Sequence, residues 1–126
     1  MGTGTEIGRV RGLGAAKSGV GHWWQQRVTA VANLALVLWL VVSLVRLPGL
    51  DYASVVVWLR QPVAAIPMLL LIVSVFYHFR LGVQVFIEDY LHNEGTKLLA
   101  LLALNFYALG GAAAAVFAVL KIALGA

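Results

Sequence analysis

Side chains able to do chemistry are sparse in this chain of 126 residues, and one stretch gathers several of them. Tyr77-His78-Phe79-Arg80-Leu81-Gly82-Val83-Gln84 is followed at once by Glu88-Asp89-Tyr90. The stretch lies inside a long apolar run, and a polar group at hydrocarbon depth is costly enough that it needs a partner or a function. At a helical rise of ~1.5 Å per residue, His78 lies about 16 Å below Asp89. Eleven residues make almost a whole number of turns, so His78, Gly82, Val85 and Asp89 share one stripe of the helix.

An imidazole buried in lipid can serve as an axial heme ligand through one nitrogen while a hydrogen bond holds the other. Gly82, one turn away, would leave room for a flat macrocycle. The alternative is that His78 simply hydrogen-bonds a neighbouring helix. Arg80, two residues on, points about 200° around the helix and away from that stripe. It could pair with an acid on a partner, contact a propionate or line a polar cavity. For Asp89 the plain alternative is solvation at a helix end, or an ion pair with Lys97.

The elements that must hold these residues are membrane spans. The composition is 62% hydrophobic and 11% charged, with a mean hydropathy of +0.93. A soluble domain carries far more charge. The apolar residues fall into three runs, at 23–47, 62–87 and 98–120, each longer than the ~20 residues that cross a bilayer core. An all-α integral membrane fold with three transmembrane helices follows, as part of a heterodimeric helix bundle once the family resemblance below is included. Leu47-Pro48-Gly49 is expected to end the first helix and Gln61-Pro62 to begin the second. Residues 88–95 form a tight interfacial turn between the second and third. Trp23, Trp24, Trp58 and Tyr52 gather near span ends, as amphipathic rings do, whereas Trp39 lies deeper. Gly110-Gly111 and the alanines at 112–115 give the third span a smooth face for close packing. No internal repeat is present.

With no cysteine, neither a disulfide nor a thiolate metal site is possible, and the chain supplies no iron–sulfur ligand. The net charge of +4 does not signal nucleic acid, because Arg9, Arg11, Lys17 and Arg27 are concentrated ahead of the first span. They outnumber Arg46 and Arg60 around the first loop, which places the N-terminus in the cytoplasm and the C-terminus outside. The segment 1–22 lacks the apolar core of a signal peptide and is expected to be a retained cytoplasmic arm ahead of an anchor domain at 23–126.

The run His78-x3-Gly82-x6-Asp89-Tyr90 resembles the second helix of the hydrophobic anchor subunit of succinate dehydrogenase. The stretch from Ser18 to Ala30 is similar too, with its glycines, His22 and the Arg27-x-Thr29-Ala30 segment. The resemblance implies that His78 is an axial ligand of heme b, with a second histidine from a partner membrane subunit. It implies that Tyr90 binds ubiquinone, its phenol donating to a quinone carbonyl, with Asp89 orienting it or relaying protons. Basic residues like Arg27 and His22 are placed near the heme propionates, where a guanidinium can bind bidentately. Arg27 is equally placed to be a topology anchor that snorkels to headgroups. Further implied partners are a flavoprotein subunit that oxidises succinate, an iron–sulfur subunit and the lipid bilayer. The implied location is the bacterial inner membrane, or the mitochondrial inner membrane in an organelle. On this resemblance the chain is an enzyme's part and not catalytic alone. A fumarate reductase anchor and a cofactor-free assembly protein are the alternatives.

Overall fold

The computed structural model describes residues 19–125; most of the basic arm therefore lies outside the described residues. Among the described residues there are four helices and no strand: α1 Gly19–Val45, α2 Tyr52–Leu59, α3 Pro62–Tyr90 and α4 Glu94–Ala123. Three of them, α1, α3 and α4, are long and apolar enough to cross a membrane. The chain is an all-α integral membrane protein.

The helix ends differ from the sequence expectation in ways that local chemistry explains. The first helix stops at Val45, ahead of the Pro48-Gly49 pair, because proline disfavours helical backbone before it. The first loop contains a short helix that hydropathy did not reveal. Asp51 caps α2, its carboxylate accepting from the Ser54 N–H at 3.3 Å and from the Ser54 hydroxyl at 2.7 Å. The second span continues through Glu88, Asp89 and Tyr90, so the turn shrinks to Leu91, His92 and Asn93. Asn93 caps α4 by accepting from the Thr96 N–H at 3.1 Å. On the other side of the turn, His92 Nδ1–H donates to the Tyr90 carbonyl at 3.1 Å, satisfying one of the carbonyls a helix end leaves open.

The central helix is α3: α1 packs on one side of it, α4 on the other, and α2 lies across α3 and α4. Helices α1 and α4 do not approach each other. The residues buried within the chain are consequently few, and α1 has none. Lipid tails are as apolar as leucine, so the spans are held together by fit and by hydrogen bonds rather than by hydrophobic burial. Trp39 of α1 stacks on Trp58 of α2 at 5.7 Å, which gives the deep tryptophan its partner.

Candidate functional site at the α1–α3 seam

Helix α1 runs antiparallel to α3, and the two meet along a polar stripe. His22, Gln26, Thr29 and Asn33 recur at spacings of three and four, so they fall on one face of α1. From α3 come Ser74, His78 and Gly82, each one turn apart. The Thr29 hydroxyl and His78 Nδ1 are hydrogen-bonded at 3.0 Å. The Ser74 hydroxyl donates to the Thr29 carbonyl at 3.4 Å, and the Tyr77 hydroxyl donates to Gln25 Oε1 at 2.8 Å.

His78 therefore does make an interhelical bond, but it uses only one ring nitrogen for it. Its Nε2 has no hydrogen-bond partner among the described residues and is not one of the sealed polar atoms, so it stays open. The helix places the imidazole roughly 18 Å from the Tyr90 end and 24 Å from the Pro62 end, near mid-span. Among the described residues three polar atoms are sealed without a partner, His22 Nε2, Gln26 Oε1 and Asn33 Oδ1, all on residues of the Thr29 face. Side chains of the described residues leave the seam unsaturated. Among the described residues no group of three or more metal-ligating side chains forms. An imidazole with one nitrogen held by a neighbouring helix and the other open has the chemistry of a heme ligand.

The space at Gly82 is not the open slot expected from sequence. The Gln26 amide nitrogen lies 3.5 Å from where a Cβ on Gly82 would sit, an ordinary contact, so a side chain of α1 already borders that space. Arg27 and His22 are not brought together. The Arg27 guanidinium lies over the Trp23 ring at 5.3 Å, exposed, while His22 is half-buried on the neighbouring face.

Asp89 and Tyr90 sit in the last turn of α3, both exposed. Tyr90 stacks on Phe86 at 4.6 Å, and Asp89 forms no ion pair among the described residues. Lys97, the expected alternative partner, is 3.7 Å from Glu94 instead, because the short turn starts α4 early and makes that pair an i,i+3 neighbour. Arg80 faces α4, where its Nε donates to Asn105 Oδ1. It borders a cleft of about 430 Å³ with Phe76, Tyr77, Asn105, Ala108 and Ala112. Another cleft, of about 600 Å³, opens at the opposite end of the spans around Arg46, Ser54 and Trp58, and none of the residues named for heme or quinone lines it.

Residues 1–112 match the model of one family, described as the succinate dehydrogenase/fumarate reductase transmembrane subunit. The chain belongs to this family. Among curated relatives, the succinate dehydrogenase hydrophobic membrane anchor subunit of Rickettsia bellii is 32% identical over 82% of this chain and 83% of its own length. The protein of the same name from Paracoccus denitrificans is 30% identical over 91% of this chain and 88% of its own length. The membrane anchor subunit of Reclinomonas americana is 30% identical over 74% of this chain and 80% of its own length. No solved structure matches. Membership of the family makes the chain a membrane anchor subunit of the succinate dehydrogenase type.

Sequence reasoning singled out His78 and missed what holds it. Thr29 enters only as part of the Arg27-x-Thr29-Ala30 segment and Tyr77 only as part of the stretch around His78, while Gln25, Gln26 and Ser74 are not singled out. The signal was available: His22, Gln26, Thr29 and Asn33 put a polar residue at every turn on one face of an otherwise apolar span.

Proposed function

We propose that this chain is the heme-ligating anchor of a succinate:quinone oxidoreductase. His78 would hold heme b together with a second membrane subunit, and Tyr90 with Asp89 would contribute to a ubiquinone site. The observation that carries the proposal is a mid-span imidazole with Nδ1 tied to the neighbouring helix and Nε2 open. Bound there, heme b would supply a one-electron redox centre within the membrane. Arg27, with its guanidinium edge exposed above Trp23, is the side chain suited to pair with a propionate; His22, whose Nε2 is sealed, suits that role less.

Succinate is oxidised elsewhere, on a flavoprotein subunit, and electrons arrive through an iron–sulfur subunit docked where α1 begins and α3 ends. The balance of Lys and Arg assigns that face to the cytoplasm. At the same face the exposed Tyr90 hydroxyl can donate to a quinone carbonyl, and Asp89, which has no ion-pair partner among the described residues, can pass a proton. The Thr29–His78 bond is also what a cofactor-free assembly protein would display, and this is the competing reading.

The deciding experiment is the absorption spectrum and redox titration of the purified complex with His78→Ala. Loss or displacement of the heme b signal, with the spans still inserted, is expected; an unchanged spectrum and potential would sink the ligand assignment. For the quinone site, Tyr90→Phe should lower quinone reduction by more than about fivefold, beyond a neutral hydrogen bond of ~1 kcal/mol. Succinate-to-dye electron transfer should stay normal. Equal losses in the two assays would assign Tyr90 to assembly.

A further inference from the structure

Thr29 carries more than an interhelical contact. A threonine hydroxyl has one hydrogen to give and two lone pairs. The Thr29 oxygen has three neighbours within hydrogen-bond distance: the Gln25 carbonyl at 2.8 Å, the Gln26 carbonyl at 3.1 Å and His78 Nδ1 at 3.0 Å. Carbonyls only accept, so either backbone contact uses the single Thr29 hydrogen, and the nearer one is the shortest of the three. The lone pairs then face His78, and the hydrogen between the two side chains has to come from Nδ1.

We propose that Thr29 fixes His78 as the Nδ1–H tautomer and so reserves the Nε2 lone pair for iron, making Thr29 the positioning residue of the axial ligand. The proposal rests on the heme assignment of His78. A neutral imidazole carries one N–H, and spending it on Thr29 leaves Nε2 as the acceptor. The reverse arrangement, with Thr29 donating to Nδ1, gives up the 2.8 Å carbonyl contact and puts the hydrogen on Nε2, where it would block coordination. Within the span little water competes for either group. Thr29 is itself held firmly. Its β-branch restricts χ1, its hydroxyl is turned back onto its own helix, and Ser74 grips its carbonyl from α3. A ligand imidazole that donates through its far nitrogen is also a more basic ligand, which favours ferric iron and lowers the reduction potential.

The test compares the purified complex carrying wild-type Thr29, Thr29→Val and Thr29→Ser. Valine keeps the shape without the hydroxyl, and serine keeps the hydroxyl without the methyl. Two quantities are read: heme lost to excess apomyoglobin, and the midpoint potential of the heme that remains. Thr29→Val is expected to weaken heme retention roughly 10- to 100-fold and to raise the potential, and Thr29→Ser to restore both. Valine behaviour equal to wild type overturns the proposal, as does serine as impaired as valine, since shape alone would then be what matters. If the valine complex does not assemble, Thr29→Ala is read against Thr29→Ser by the same criteria. His78→Ala in the same series separates the two levels: an unchanged heme signal there removes the heme assignment itself, whereas loss of heme in His78→Ala with none in Thr29→Val removes only the role of Thr29.

Discussion

Helix α3 meets its two neighbours by different means. Toward α1 it presents Ser74, Tyr77, His78 and Gly82, which meet the side chains of Gln25, Gln26 and Thr29 and the Thr29 carbonyl, all of them polar groups of α1. Toward α4 it presents Phe76, Phe79 and Arg80, which pair in antiparallel register with Gly111, Tyr107 and Asn105. There, ring-on-ring and ring-on-backbone contact dominates, and Arg80–Asn105 is the polar exception. The two glycines sharpen the contrast. A Cβ on Gly111 would lie 2.6 Å from Phe76 Cε1, whereas one on Gly82 would meet only Gln26 Nε2 at 3.5 Å, an ordinary contact. The α4 side is built for shape and the α1 side for hydrogen bonds. A functional imidazole belongs on the second kind of surface, because there its orientation is set by direction as well as by volume.

The largest effect expected from this difference is that of Gly111→Ala, which should destabilise the α3–α4 pair by about 1–3 kcal/mol through overpacking. Gly82→Ala should change stability by less than about 0.5 kcal/mol. Denaturant titration of helicity in mixed micelles measures both, and equal losses would erase the distinction. Relief of the Gly111→Ala defect by Phe76→Leu would locate the strain in that one contact.

Asn105→Leu comes next. It strips the Arg80 guanidinium of its acceptor and should cost about 1.5 kcal/mol, the lower end for a hydrogen bond to a charged group. Double substitution with Arg80→Leu should return most of the loss, and failure to do so would mean that Arg80 does not depend on Asn105. Tyr77→Phe, on the α1 side, removes the bond to Gln25 and should cost only about 0.6 kcal/mol, the average for such bonds between membrane helices. A loss as large as that of Gly111→Ala would show that single polar contacts, rather than the whole seam, hold α1.

The smallest effect lies outside the spans. The Ser54 hydroxyl, and then its backbone N–H, hold the Asp51 carboxyl below the usual carboxylate range. A depressed folded value means that the cap supports α2 at neutral pH and is lost as the pH falls through that value. Proteolysis of the first loop should therefore quicken in acid, and Asp51→Asn should flatten that dependence. Identical pH profiles in the two proteins would remove the charge from the cap.

Sequence alone determined the three spans and their approximate limits, and it singled out the side chains able to do chemistry. Twenty-residue apolar runs have no other stable home, and a histidine with a nearby acid and phenol stands out in them. Short-range chemistry outran it at the edges. The Asp51 cap started a helix in the first loop, and continuation of α3 through Tyr90 closed the next turn to three residues. What the tertiary structure decided was partnership. That α3 is central, that Gln26 borders the space at Gly82, that Lys97 turns to Glu94 and that Arg80 faces α4 all depend on how helices rotate against one another. Hydropathy carries little of that information in spans that are apolar nearly all round. The same rotation set Thr29 against His78. Sequence could name the imidazole, but only the packing of α1 on α3 determined which of its nitrogens is held and which is left open.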